Sequence, residues 1–195
     1  GETFKPPSGM EIVYSLLKAV LAHLYLAWIH PFGDGNGRTA RLVEFQILLA
    51  SGVPSPAAHL LSNHYNQTRT EYYRQLDTAS RSGGEVLPFI AYAVQGFLDG
   101  LRQQLLEIRN QQWEDAWRNH VFETFTDRRT RSDLRRRRLI LDLSAQPAPV
   151  PLEKFQELSP KLAAEYAGKT PRSVARDLKA LLDLKLVEKT AVGYR

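Results

Sequence analysis

A proline and three glycines, Pro31, Gly33, Gly35 and Gly37, fall within seven residues and break a region that is otherwise helical on both sides. Upstream, Ile12, Val13, Leu16, Leu17, Val20, Leu21, Leu24, Tyr25 and Trp28 recur at helical spacing. So little polar surface remains that a central, mostly buried helix is expected. Pro31 ends it, because the residue before a proline is disfavoured in the helical region, and His30 is left at the helix exit. A second helix is expected from about residue 37 to 51, with Leu42, Val43, Phe45, Leu48 and Leu49, closed by Gly52-Val53-Pro54-Ser55-Pro56. The polar residues of the break therefore sit where one helix stops and another starts.

The remaining pattern is again helical. A third helical region is expected over residues 58–80, and Arg81-Ser82-Gly83-Gly84 breaks it. Pro88 opens a long run through Ile90, Phe97, Leu101 and Ile108, continuing with a kink to Phe125. Character changes near Thr126, so two domains are expected, residues 1–126 and 127–195. In the second, a basic helix over 134–143 precedes the breaker Ala145-Gln146-Pro147-Ala148-Pro149. A short helix over 159–167, a turn at Gly168-Lys169 and a helix from Thr170 follow, with Thr170 as N-cap and Pro171 in the first turn. Leu186 to Arg195 alternates like a strand entering a hairpin. Helix, helix-turn-helix and hairpin together read as a winged helix. The expected fold is mainly α, an all-helical core followed by a small winged helix-turn-helix domain.

Composition narrows the setting. The 195 residues suffice for one large or two small domains, and there is no cysteine, which excludes disulfides and thiolate metal sites. That is compatible with a reducing cytosol, and a cytoplasmic location is expected. No uninterrupted apolar run approaches membrane-spanning length, so no membrane partner is expected. Gly1 to Pro7 read like the middle of a protein, so a fragment of a longer chain is expected. The net charge of +5 is uneven, since seven arginines fall within residues 128–138. Such a cluster suits nucleic acid; the alternative is a solvated helix face beside Asp127 and Asp133.

The chemistry of the break is that of an anion site. A glycine-rich turn feeding a helix N-terminus presents backbone N–H groups to an anion, most naturally phosphate. His30 can exchange a proton near neutral pH. Asp34 can cap the turn or hold Mg2+, which prefers one or two carboxylates plus phosphate oxygens. Gly35 and Gly37 permit positive φ and close backbone approach, and Asn36 can donate its amide. Arg38 and Arg41 share a helix face in the first turn, where cations oppose the macrodipole. An anion beside them offsets that opposition; a salt bridge to Glu44 is the structural alternative.

His30-Pro31-Phe32-Gly33-Asp34-Gly35-Asn36-Gly37-Arg38-Thr39-Ala40-Arg41 closely resembles the Fic family signature, His-Pro-Phe-x-Asp/Glu-Gly-Asn-Gly-Arg-x-x-Arg. The resemblance extends over roughly residues 1–110, through Ala22-His23-Leu24 and Tyr72-Tyr73-x-x-Leu76. It implies an all-helical Fic core that moves AMP from ATP, with Mg2+, to a Ser, Thr or Tyr hydroxyl of a target protein. By position, His30 is implied as the base, Asp34 as the metal ligand, and Gly35, Asn36 and Gly37 as the anion hole. Arg38 and Arg41 are implied to hold the phosphate tail, and Tyr72 to line the adenosine pocket. Ser80 stands where relatives often carry Asn, and the inhibitory Ser/Thr-x-x-x-Glu-Gly/Asn pattern of many relatives is not found. Residues 3–7 resemble the end of the flap that pairs with a target peptide. Two alternatives accompany this reading: a DNA-binding regulator using Arg172, Ser173 and Arg176 of the recognition helix, and removal of AMP by the same loop. The apolar stretch from Trp113 to Phe125 suggests helix pairing in a homodimer.

Overall fold

A computed structural model describes residues 6–195; the flap-like residues 3–5 lie outside the described part. Among the described residues there is no strand, only helices, turns and two isolated β-bridges. The chain divides into two units after Ile108.

In the first unit α1 (Glu11–Ile29) packs chiefly on α2 (Asn36–Ala50). α1 buries Leu16, Ala19, Val20, His23 and Leu24, the stripe that a 3.6-residue repeat allows. α2 buries Asn36, Ala40, Glu44 and Leu48, four residues at a four-residue step, two of them polar. The region expected as one helix over 58–80 is three pieces, α3 (Ser55–Ala58), α4 (Leu60–Gln67) and α5 (Arg69–Arg81). Tyr65, Tyr72, Phe89, Ala93 and Phe97 complete the core.

By length and composition α1 is long and apolar enough to cross a membrane, with a mean hydropathy of 1.7. Lys18 and His23 interrupt its apolar residues, so the helix contains no uninterrupted apolar run of that length. Its polar His23 and four apolar neighbours are nonetheless buried against protein.

The long run after Pro88 is a single 38-residue helix, α6 (Leu87–Thr124). Gly96 and Gly100 in its interior make room for α4. A Cβ at Gly96 would overlap the His64 ring, and one at Gly100 would come within 2.9 Å of Leu60 Cδ2. Burial against this surface lowers the His64 pKa, and the nearby Asp99 carboxylate partly offsets it.

The second unit has its own core of Val121, Phe125, Leu139, Ile140, Leu143, Phe155, Leu162, Tyr166, Val174, Leu178 and Leu181. Val121 and Phe125 come from α6 and from the turn after it. A capping box between Thr130 and Asp133 starts α7 (Arg131–Ser144). A 3-10 turn (Leu152–Glu157), α8 (Pro160–Tyr166) and α9 (Pro171–Asp183) follow. Ser159 caps α8 through its hydroxyl, whereas the Thr170 side chain makes no cap bond to α9. Pro171 at the start of α9 supplies a preset helical φ and removes one of the N–H groups that a helix start leaves unpaired.

Asp177 on α9 joins three elements while almost fully buried. It accepts from Arg135 Nε at 2.7 Å, Arg136 Nε at 2.9 Å and Tyr166 Oη at 2.9 Å. Charge-assisted bonds of this kind compensate the desolvation that an unpaired carboxylate would suffer. After α9 the chain turns back on itself. Glu188 and Arg195 exchange backbone hydrogen bonds at 2.8 and 3.0 Å, and Val150 and Tyr194 do so at 2.8 and 2.9 Å. Gly193 permits the second pairing, since a Cβ there would overlap the Val150 carbonyl.

Candidate active site

His30 is the C-cap of α1 and adopts the left-handed conformation, φ 49° and ψ 53°. Its N–H closes the helix on Leu26 O at 3.1 Å. A non-glycine residue in this region is strained by about 1–2 kcal/mol; Pro31 enforces it by disfavouring the right-handed alternative. The ring is exposed, and its Nδ1 meets the Ala27 carbonyl at 3.4 Å. A carbonyl can only accept, so Nδ1 carries the proton in this contact. In the neutral ring that tautomer places the lone pair on Nε2, the form of imidazole that acts as a base.

Asn36 clasps the loop. Its Oδ1 accepts from Phe32 N at 2.9 Å and its Nδ2 donates to Phe32 O at 2.5 Å. The amide assigned from sequence to an anion is thus committed to the backbone of its own loop, and Asn36 is buried. What it offers an anion is its main-chain N–H. Gly35 is the N-cap of α2 with φ 86°, and no side chain caps that helix. The first intrahelical bond is Thr39 N to Gly35 O at 2.9 Å. The N–H groups of Asn36, Gly37 and Arg38 have no acceptor among the described residues. Gly37, expected to use positive φ, does not: Gly35 is the left-handed glycine of the pair.

The arginine side chains fold back toward the two glycines of the loop. An ideal Cβ on Gly35 would lie 3.5 Å from Arg38 Nη2, and one on Gly37 would lie 3.6 Å from Arg41 Nη1. The glycines therefore leave open the space between the guanidinium groups and the helix start. Arg38 Nη2 also donates to Asp34 Oδ2 at 2.8 Å, while Asp34 Oδ1 accepts from Gly35 N at 2.6 Å. Side chains 73% and 91% exposed gain little stability from such a pair. Arg38 can exchange this partner for a phosphate at small cost. Asp34 has the hard oxygen that Mg2+ selects, and one carboxylate completed by phosphate oxygens is a usual set for that ion. No group of three or more His, Cys, Asp or Glu gathers into a metal cage among the described residues.

Glu44 pairs with neither arginine. Its Oε1 accepts from Tyr65 Oη at 2.9 Å, and its Oε2 faces His23 Nδ1 at 3.3 Å. His23 Nε2 in turn meets Tyr72 Oη at 2.9 Å. Tyr65, Glu44, His23 and Tyr72 thus form a buried polar chain across α4, α2, α1 and α5. Tyr72, implied by resemblance to line a nucleotide pocket, is in the core, and its neighbour Tyr73 is the exposed ring. Burial raises the Tyr72 hydroxyl to about 12, an effect that the nearby Arg41 charge reduces. His23 was legible in the sequence only as part of the helix leading into the motif. Nothing in the sequence marked its partner Glu44 as buried, apart from its place four residues after Ala40 on the stripe of α2.

Arg172 and Arg176 are exposed on α9 and Ser173 is half-buried, its N–H donating to Thr170 O at 2.8 Å. They belong to the second unit and not to this loop.

Residues 6–48, a span that includes the loop after α1, match the Fic/DOC family. The chain is similar to the protein adenylyltransferase Fic of Nematostella vectensis, 39% identical over 85 residues, 44% of this chain and 18% of that protein. It is also similar to the protein adenylyltransferase fic-1 of Caenorhabditis elegans, 40% identical over 78 residues, 40% of this chain and 14% of that protein. The Culex quinquefasciatus protein adenylyltransferase Fic is 35% identical over 81 residues, 42% of this chain and 15% of that protein. The chain therefore spans less than a fifth of the length of these curated relatives. No solved structure matches.

Proposed function

We propose that this protein is an adenylyltransferase that moves AMP from ATP to a Ser, Thr or Tyr hydroxyl of another protein. The observation that carries the reading is the juxtaposition at the start of α2. Three main-chain N–H groups without acceptors open α2, two guanidinium groups approach the glycines beside them, and an exposed imidazole stands at the end of α1 with Nδ1 toward the Ala27 carbonyl. A binding site for an anion has no need of the imidazole. Relatives named as protein adenylyltransferases support the same chemistry.

In the proposed step His30 Nε2 takes the proton of the target hydroxyl as its oxygen attacks the α-phosphorus of ATP. The bond from that phosphorus to the α–β bridging oxygen breaks, and pyrophosphate leaves with the electron pair. Transfer of this kind depends on positioning and charge neutralisation. The N–H groups of Asn36, Gly37 and Arg38 hold phosphate oxygens, and Arg38 and Arg41 take the charge of the leaving pyrophosphate. Asp34 would hold Mg2+, which would supply further neutralisation of the phosphate charge. A cytoplasmic setting supplies the ATP and suits a cysteine-free chain. The test uses ATP labelled at either phosphorus. Label from the α position appears on protein and label from the γ position does not; the reverse pattern marks a kinase and removes this reading.

A second reading concerns the other unit. Arg172 and Arg176 have no carboxylate partner among the described residues, and they lie on the side of α9 opposite Val174, Leu178 and Leu181. With the backbone pairing of Glu188 and Arg195 after it, α9 suits a winged helix that lays its recognition helix on duplex DNA. Salt-dependent retention on duplex DNA, lost in the Arg172→Ala, Arg176→Ala double variant, supports it; retention unchanged by the substitutions refutes it.

A further inference from the structure

The seven arginines between residues 128 and 138 fall into two sets. Arg135 and Arg136 hold Asp177, Arg136 also reaches Asp133, and Arg138 pairs with Glu165. These three are part of the fold. Arg128, Arg129, Arg131 and Arg137 meet no carboxylate among the described residues; Arg129 Nε donates only to Thr126 O at 3.4 Å. Three of these four, Arg128, Arg129 and Arg137, line one open cleft of about 640 Å³ between the end of α6 and the first half of α7. That size is within the range of ligand-binding clefts.

The floor of this cleft is apolar. Phe122 and Leu134 contribute to it while 41% and 44% exposed, with Phe125 beneath. The Arg137 guanidinium lies 4.8 Å from the centre of the Phe122 ring, a cation–π contact that holds it over the floor. Glu123 is the one acid in the lining, against three arginines. Neither solvation of a helix face nor internal pairing accounts for this combination of unpaired guanidinium groups and exposed large apolar side chains.

We propose that the cleft is a docking site for an acidic, partly apolar peptide segment of a partner protein. Carboxylates match the planar fork of arginine in a bidentate way. Aromatic and aliphatic floors beside arginine are the composition of protein–protein interface cores, in which arginine and aromatic residues are enriched and lysine is depleted. The cleft contains arginines and no lysine. A nucleic-acid backbone is met through charge; it would leave the Phe122 and Leu134 surface uncovered and bring evenly spaced phosphates against Glu123. A peptide can alternate carboxylates with apolar side chains and leave Glu123 at the edge. This site is separate from the chemistry at His30, so it stands or falls independently of the transferase reading.

The test uses the full chain and fluorescence anisotropy with three labelled probes: a short peptide alternating Glu and Leu, its counterpart alternating Lys and Leu, and a DNA duplex. The Glu–Leu peptide binds and the Lys–Leu peptide does not. The Arg128→Glu, Arg129→Glu variant weakens Glu–Leu binding by about tenfold or more. Both side chains are exposed and outside the ion pairs of the core, so the thermal unfolding curve stays in place. Leu134→Ser, at an exposed position, also weakens binding, which reads the floor separately from the charge. No binding of the Glu–Leu peptide overturns the proposal, as does binding that survives charge reversal. Tighter binding of the duplex, lost in the same double variant, assigns the cleft to nucleic acid instead.

Discussion

Glu44 Oε2 lies 3.3 Å from His23 Nδ1, with both side chains closed to solvent. His23 is seven residues before His30 on α1, and Glu44 is three after Arg41 on α2. The proposed base and the proposed phosphate clamp are therefore carried by two helices joined through one buried pair. Tyr65 and Tyr72 extend the pair to two further helices. Removing one partner leaves the other charge or dipole buried without compensation.

His23→Leu is accordingly expected to destabilise the protein by about 3 kcal/mol in urea unfolding, because Glu44 stays buried. Glu44→Leu is expected to cost a similar amount. The double variant His23→Leu, Glu44→Leu should be more stable than the sum of the two losses implies, since no orphaned partner remains. Strict additivity would show that the pair is not coupled.

The Asn36 clasp gives a graded series. Asn36→Ala removes both bonds to Phe32 and is expected to cost about 1–3 kcal/mol, with the transfer rate falling as the loop loses its shape. Asn36→Asp keeps an acceptor for Phe32 N–H and loses the donor to Phe32 O. It should fall between the parent and Asn36→Ala in both unfolding and transfer assays.

The two glycines should separate fold from function. Gly35→Ala places a Cβ on a residue with φ 86° and is expected to cost about 1–2 kcal/mol of stability. Gly37 has no such φ, and a Cβ there meets Arg41 Nη1 at an ordinary 3.6 Å. Gly37→Ala should therefore leave the unfolding curve nearly unchanged while weakening ATP binding, measured by calorimetry.

Alkaline pH should act through Tyr72. Burial lifts its hydroxyl from 10 to about 12, so the fold prefers the neutral phenol. The unfolded chain releases this proton from about pH 10, whereas the folded chain holds it to about 12. The associated stability is thus complete below pH 10 and is lost as pH rises toward 12. Tyr72→Phe should be less stable at neutral pH, because His23 Nε2 loses its partner, and should lose stability less steeply in the alkaline window. Tyr65, also raised by burial, accounts for the slope that remains.

Helix positions and the loop were legible in the sequence for a simple reason. Proline and glycine act locally, and apolar spacing reports helical faces directly. Pro31 marked the end of α1, and the structure adds that His30 is strained there. The side-chain partners were less legible, because they join residues far apart in the chain. Glu44 suggested a salt bridge to a nearby arginine, yet its partners are His23 and Tyr65. Asn36 suggested an anion ligand, but its amide was closer to the Phe32 backbone. The arginine run looked uniform, and only the positions of Asp177, Asp133 and Glu165 divide it into paired and unpaired members.

The central claim is that His30 is the base of an AMP transfer whose nucleotide is held by other residues. It is tested most directly by incubating the parent protein and His30→Ala with ATP labelled at the α position, Mg2+ and a mixture of acceptor proteins, while measuring ATP binding in parallel. The account predicts labelled protein with the parent, loss of labelling with His30→Ala, and ATP affinity unchanged within about threefold. Labelling by His30→Ala at the parent rate would contradict it.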